Sequence, residues 1–150
     1  MKIIVDHREK RSGILVDLAK KGFDIEKKQL EVADFIIETK DLKGYTHALG
    51  IEKKTQEDFL NSMVDKRILR QLLELKRNFT KQLLIIEGDQ NIYTLRNFHP
   101  NAIRGMLASI AIDFQIPVIH TKTTKDTASL LSVIAKRLEK PGRHYSLIPK

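Results

Sequence analysis

The sequence lacks cysteine and tryptophan, and aromatic residues make up only 6% of its 150 positions. The absence of cysteine excludes a disulfide framework and any thiolate metal site. The scarcity of aromatic residues argues against a surface that stacks the bases of single-stranded nucleic acid. No run of about 18 apolar residues and no signal-peptide pattern occurs, so we expect no membrane partner and an intracellular, cytoplasmic location.

Positive charge is the first indication of a partner. Lysine and arginine number 27 against 19 acidic residues, which leaves a formal net charge of +8. Such a balance is expected of a protein that binds nucleic acid, although solubility alone can also account for it. The hydrophobic content of 41% is that of one globular domain.

Apolar periodicity predicts an α/β fold. Short apolar runs predict strands near 2–6, 23–30, 32–40, 47–54, 82–88 and 116–120, and helical spacing predicts helices near 14–21, 55–65, 66–79, 100–114 and 124–140. The order predicts a central mixed sheet flanked by helices, with a hairpin in the middle and parallel crossovers after it. We expect one domain over 1–140 and a flexible tail over 141–150.

The predicted hairpin brings two acids together. If 34–40 pairs with 47–53, the centre of symmetry is residue 43, beside Gly44, and Asp34 lies opposite Glu52. Their Cβ atoms would then be roughly 4.5–5.5 Å apart. Two carboxylates at that distance repel, and a divalent cation relieves the repulsion. Ligation by oxygen atoms alone suits Mg²⁺ or Mn²⁺.

A lysine accompanies the two acids. Lys54 lies two residues after Glu52, so the two side chains share one face of a strand. An ammonium group beside a metal-binding pair can contact a phosphate. Two acids, a metal ion and a lysine arranged in this way are suited to phosphodiester hydrolysis.

Each of these residues also has an ordinary structural interpretation. Glu52 and Lys54 taken alone fit a solvated strand face, and Asp58 fits a capping box with Thr55 at a helix start. A solvated or purely structural position is open for Asp6, Arg67 and Arg70. The joint occurrence of these residues is what favours a site.

Successive motifs carry a family resemblance. They are VDHRE (5–9), VADF (32–35), IEKKTQEDF (51–59), SMVDKRILRQLLEL (62–75), LLIIEG (83–88) and HPNAIRGMLASIAIDFQIPVIHT (99–121). In order and spacing they resemble the XPF-type structure-specific endonucleases, and they are most similar to the nuclease domains of archaeal Hef proteins. The resemblance covers about residues 1–140. It implies a restriction-endonuclease-like fold and cleavage of branched double-stranded DNA, such as flaps and forks, in DNA repair or stalled-fork processing.

The resemblance also implies roles for residues. The family signature GDx(n)ERKx(3)D gives a catalytic set of Asp34, Glu52, Lys54 and Asp58. The implied metal ligands for Mg²⁺ or Mn²⁺ are Asp34, Glu52, the main-chain carbonyl of Lys53, and Asp6 as an outer ligand. The implied DNA-binding residues are Arg8, Lys53, Arg67 and Arg70.

The sequence departs from the family pattern at two positions. Ala33 replaces the signature glycine, which matters if that backbone needs a positive φ angle. Lys53 replaces arginine, which keeps the charge and loses bidentate phosphate geometry. The chain has no helicase signature and no tandem helix–hairpin–helix module, so we expect such domains to act with it in cis or in trans.

Two other functions compete with this one. A catalytically silent DNA-binding or assembly subunit would share the fold, but it has no reason to keep Asp34, Glu52 and Lys54 together. A different restriction-like repair nuclease would share the chemistry, but not the DHRE or HPNAIRG motifs.

The C-terminal third predicts a homodimer through residues 101–138. The two last helices carry more apolar residues than one core face requires, among them Ile110, Ile112 and Leu131. In the alternative interpretation, these apolar residues simply pack against the sheet. Hef-type nuclease domains, which the sequence resembles, pair through this region, so we expect a charge at Ile110 or Leu131 to give monomers, or insoluble protein if folding needs the partner.

Overall fold

A six-stranded mixed sheet forms the centre of the computed structural model, which describes residues 2–40 and 42–139, without the side chains of residues 10–12. The strands are β1 Lys2–Asp6, β2 Asp24–Lys28, β3 Phe35–Lys40, β4 Thr46–Thr55, β5 Lys81–Glu87 and β6 Val118–Thr121. The helices are α1 Ile14–Lys20, α2 Gln56–Val64, α3 Arg67–Asn78, α4 Pro100–Ile112 and α5 Thr124–Glu139. The predicted tail, 141–150, lies outside the described residues.

The strand order is β2-β1-β3-β4-β5-β6, and only β3 runs against the others. The carboxyl ends of β1, β4 and β5 therefore lie at one edge of the sheet, together with the start of β3. The β3–β4 hairpin pairs Phe35 with Ile51 and Lys40 with Thr46, which is the predicted register about residue 43.

Each face of the sheet carries its own hydrophobic core. On the first face, strand residues such as Ile37 and Ile51 pack with residues of α1 and α5. On the second face, Leu84 and Ile86 pack with residues of α2, α3 and α4. Because alternate strand residues point to opposite faces, every side chain at the end of β4 belongs to one of these two environments.

The predicted order of strands and helices is confirmed, and one element was missed. His7–Ser12 form a 3-10 helix after β1. Its sequence, HREKRS, has no apolar periodicity that would predict it. None of the helices among the described residues has the length and hydropathy needed to cross a membrane.

The structure changes the expectation for the two C-terminal helices. They pack on opposite faces of the sheet, and the side chains of Ile110 and Leu131 are 0% exposed in the two cores. A charge at either position would therefore disrupt a core of the single chain, so substitutions at Ile110 and Leu131 do not test the predicted dimer. Ile112, by contrast, is 74% exposed.

We expect Lys66→Gly to stabilise the protein by about 1 kcal/mol, because Lys66 precedes α3 in a left-handed conformation (φ 61°) that disfavours residues with a Cβ atom. Lys136 is a matched exposed lysine inside α5, where glycine should instead cost about 1 kcal/mol. Urea unfolding of both variants measures the two signs, and destabilisation by Lys66→Gly would contradict the strain.

Candidate active site

An open cleft of about 600 Å³ lies where the strand ends converge. Its acidic lining residues are Asp6, Glu9, Glu31, Asp34, Glu52, Asp58 and Glu74, and its basic ones are Arg8, Lys53, Lys54, Arg67 and Arg70. All of the residues predicted for catalysis, metal binding and DNA binding line this cleft. Acids outnumber bases there in a chain that is strongly basic as a whole.

Asp34 and Glu52 flank the open end of the β3–β4 hairpin. The Asp34 N–H donates to the carbonyl of Ile51 (2.8 Å), which continues the register by one residue and sets Asp34 against Glu52. The Asp34 carboxylate also accepts a hydrogen bond from the N–H of Lys53, with an N–O distance of 2.8 Å. The carboxylate thus takes the place of a main-chain acceptor beside β4.

Burial raises the pKa of both carboxyls. For Asp34 burial outweighs the Lys53 N–H and the nearby lysine charges, and the pKa lies at about 6. For Glu52 burial and the charge of Asp34 together raise the pKa to about 8. The two carboxyl groups titrate together, since the negative charge of one makes it harder to ionise the other.

Lys54 lies on the same strand face as Glu52, as predicted. Its Nζ atom is 3.9 Å from Glu52 Oε1, and the residue is 8% exposed. At this distance the ammonium faces the carboxylate pair without fully neutralising it. It remains placed to meet an anion that enters the cleft.

Asp58 lies in the first turn of α2, four residues after Lys54. Thr55 caps α2, because its hydroxyl oxygen accepts a hydrogen bond from the N–H of Asp58 (3.1 Å). This confirms the capping interpretation of Thr55, and it does not compete with a role in the site. The cap directs an exposed Asp58 to the cleft.

Asp6 is buried and holds Arg8. Its carboxylate accepts hydrogen bonds from Arg8 Nε (2.5 Å) and from the N–H of Leu30 (2.9 Å). Burial works to raise the pKa of Asp6, but these two donors outweigh it and hold the pKa below its usual value. Asp6 therefore positions the exposed guanidinium of Arg8 over the cleft, while its predicted role as an outer metal ligand stays a prediction.

Lys53 projects to the other face of the sheet. Its Nζ atom lies 3.1 Å from Glu9 Oε2 and 3.9 Å from Glu87 Oε1, and its side chain is 9% exposed. The predicted DNA contact of this side chain stays a prediction, and the structure adds two acids that the sequence analysis did not assign. Two features of the sequence could have pointed to them: Glu9 directly follows Arg8, and Glu87 ends the apolar run LLIIE.

Arg67 and Arg70 stand on the first turn of α3 at the rim of the cleft. Arg67 is oriented by Asp65, with an ion-pair distance of 2.8 Å. The spacing of three residues puts both guanidinium groups on one side of the helix.

Ala33 adopts the left-handed conformation with φ 77°, directly before Asp34. The backbone therefore needs the positive φ angle for which the family signature uses glycine. The Ala33 side chain is buried in the second core, and this packing offsets part of the backbone strain.

Comparison with known families bears on this arrangement. The ERCC4 domain family matches residues 5–134, most of the chain. The chain belongs to the ERCC4 domain family. It is 41% identical over 137 residues to a Methanocaldococcus jannaschii protein named "putative ATP-dependent RNA helicase", and 33% identical over 139 residues to the 3'-flap repair endonuclease Xpf of Saccharolobus solfataricus. These matches cover 91% and 93% of the chain, but only 16% and 56% of the two relatives.

Solved structures of ERCC4 relatives share the fold. XPF from Aeropyrum pernix superposes with a TM-score of 0.77 at 26% identity, over 92% of this chain and 64% of that one. A structure of the same protein in complex with DNA gives the same TM-score over 97% and 68%. The predicted restriction-endonuclease-like fold and the resemblance to XPF-type nucleases are thereby confirmed.

The donor set of this ERCC4 domain suits a hard divalent cation. Within 2–40 and 42–139 no three acidic or histidine side chains form a metal cluster by themselves. Two carboxylates lie side by side there, those of Asp34 and Glu52, and burial is the main cause of their raised pKa values. Oxygen ligands of this kind fit Mg²⁺ or Mn²⁺.

We expect the metal-free protein to lose stability as the pH rises from about 4 to about 8. Both carboxyls have higher pKa values folded than unfolded, so in this range the folded state binds more protons. Asp34→Asn should flatten this dependence and raise the melting temperature at pH 8, because it removes the repulsion.

Thermal unfolding with EDTA across this pH range measures the effect, with Asp24→Asn, an exposed acid on β2, as the matched control. Added Mn²⁺ should raise the melting temperature of the wild type at pH 8 and leave Asp34→Asn unchanged. A wild-type stability that increases towards pH 8 without metal would contradict the buried pair.

Proposed function

We propose that this chain is the nuclease domain of a metal-dependent, structure-specific DNA endonuclease that cuts branched double-stranded DNA such as flaps and forks. The observation that carries the proposal is the pair of partly buried carboxylates, Asp34 and Glu52, with Lys54 on the same strand face as Glu52 inside a cleft rimmed by arginine. The names of two relatives support it, since one is a 3'-flap repair endonuclease and another was solved in complex with DNA.

Asp34 and Glu52 would hold Mg²⁺ or Mn²⁺, with the main-chain carbonyl of Lys53 as a further ligand. When bound there, the cation supplies Lewis-acid stabilisation of the phosphoryl group and a lowered pKa for the attacking water. The raised pKa values mean that the pair gives up protons when a cation takes their place.

The remaining residues act on the phosphate and the DNA. Lys54 would stabilise the negative charge that builds up on the phosphoryl oxygens during in-line attack, in a site where little water screens it. Asp58 would support Lys54 from the first turn of α2. Arg8, Arg67 and Arg70 would bind backbone phosphates on the rim, which gives affinity without sequence preference and makes it sensitive to salt.

A catalytically silent subunit remains the alternative. It would bind branched DNA through the same rim and would leave every strand intact. The complete Asp34, Glu52 and Lys54 set favours the enzyme, because nothing in binding alone requires two partly buried carboxylates that repel each other.

Cleavage of a labelled panel of duplex, flap, fork and three-way junction tests the function. We expect branched substrates to be cut with Mg²⁺ or Mn²⁺ and not with EDTA. Asp34→Asn and Glu52→Gln should abolish cutting, and Lys54→Ala should lower the rate at least about 10²-fold, the effect of removing one transition-state donor. Lys27→Ala, an exposed lysine on β2, is the control. Binding of forks without any cutting by the wild type would favour the silent subunit.

A homodimer is the second part of the proposal. Leu107, Ala111, Pro117 and Val118 line an apolar groove between α4 and β6. Beside it stands Ile112, which is 74% exposed, and β6 is an edge strand of the sheet. A second copy of the chain would cover this surface in an isologous interface, with about 1,600 Å² or more buried in total.

Ile112→Glu should convert the dimer into a folded monomer, because the Ile112 side chain is exposed and is not part of a core. Light scattering should then give 17.3 kDa for the variant and twice that mass for the wild type. Val64→Glu, at a 66% exposed apolar position on α2, should remain dimeric. A wild-type mass of one chain at micromolar concentration would exclude the dimer.

Further domains would supply the rest of the activity. The first relative bears the name of a helicase, and the chain corresponds to a small part of it. We therefore propose that the nuclease works with a helicase or a helix–hairpin–helix module, in cis or in trans, on DNA inside the cell.

A further inference from the structure

A buried network connects the first face of the sheet to the candidate site. Glu87 ends β5, and its Oε2 atom accepts a hydrogen bond of 2.5 Å from the hydroxyl of Thr127. The hydroxyls of Thr121 and Thr127 are 2.7 Å apart. Because the single proton of Thr127 is given to Glu87, Thr121 must be the donor to Thr127. Both threonines are buried, so the orientation of the Glu87 carboxylate is fixed from β6 and α5.

The other oxygen of Glu87 faces Lys53. The distance from Lys53 Nζ to Glu87 Oε1 is 3.9 Å, and the same ammonium lies 3.1 Å from Glu9 Oε2. The side chains of these three residues are between 9% and 14% exposed. A lysine that lies between two acids in such an environment, one of them fixed by Thr127, has little freedom to reorient.

The main chain of Lys53 connects the restrained side chain to the candidate site. Its N–H binds the Asp34 carboxylate at 2.8 Å, and its neighbours in sequence are Glu52 and Lys54. The ladder with β3 ends at Ile51, whereas the ladder with β5 continues to Thr55. On the β3 side, residues 52–55 therefore extend beyond the strand, and the contact there is the Asp34 carboxylate itself.

We propose that Glu87 is a positioning residue, which anchors Lys53 from behind the sheet and so fixes the peptide that orients Asp34, Glu52 and Lys54. This inference rests on the proposed function for its effect on cleavage. The geometric part, from Glu87 through Lys53 to Asp34, stands on the contacts alone.

Glu87→Gln tests the anchor, because glutamine keeps the shape of the side chain and removes its charge. We expect Mn²⁺ affinity, measured by electron paramagnetic resonance without DNA, to fall about 10- to 100-fold, the usual effect of losing an outer-shell partner. Single-turnover cleavage of a fork at subsaturating Mn²⁺ should fall to a similar extent. Glu26→Gln, which removes an acid from an ion pair with Lys2 on the sheet edge, should change neither.

A double-mutant cycle with Lys53→Met separates positioning from general stability. If Glu87 acts through Lys53, Glu87→Gln should cause no further loss of Mn²⁺ affinity in the Lys53→Met background. Amide hydrogen exchange by NMR should show faster exchange at Lys53 in Glu87→Gln, while the core amides of Ile37 and Ile85 keep their protection.

Three outcomes would overturn the inference. The first is that Glu87→Gln keeps the Mn²⁺ affinity and the Lys53 amide exchange rate of the wild type. The second is that Glu87→Gln and Lys53→Met cause additive losses of Mn²⁺ affinity. The third is that Glu87→Gln loses amide protection uniformly across the core. If the wild type cuts no DNA, or binds no Mn²⁺, the proposed function fails, and the exchange of the Lys53 amide alone decides whether Glu87 is an anchor.

Discussion

The burial of Asp34 and Glu52 beside each other is the electrostatic constraint on which the site depends, because each carboxylate raises the cost of ionising the other. The hairpin register imposes this proximity, and the two hydrophobic cores stabilise the hairpin. A cation bound between the two acids, as proposed, would offset the free energy that keeping them away from water costs. Stability and metal binding would then depend on the same pair of side chains.

The alternation of β4 divides the charged segment between two environments. Glu52 and Lys54 face the cleft on the side of α2 and α3, whereas Lys53 faces α1 and α5 and is held there by Glu9 and Glu87. A single strand thus places the proposed catalytic groups on one face and the proposed anchor on the other. The three charged residues are adjacent in sequence, but Lys53 has different ion-pair partners from Glu52 and Lys54.

Much of this arrangement could be predicted from the sequence, because it depends on local rules. The hairpin centre at residue 43 and the period of two were enough to place Asp34 against Glu52 with Lys54 beside them. Contacts between distant elements could not be predicted in this way. No local pattern reveals that Lys53 meets Glu87, or that Ile110 and Leu131 are core residues while Ile112 is exposed.

The hairpin register also determines where the chain can change in length. Residues 42–45 are exposed at the end of the sheet away from the cleft, so an insertion there lengthens a turn and leaves the paired strands in place. Between Ile51 and Thr55 the insertion of one residue would exchange the two faces of the strand for the residues that follow it. The turn can therefore change in length without displacing the site, whereas a change in length of the charged segment would move its side chains to the wrong faces.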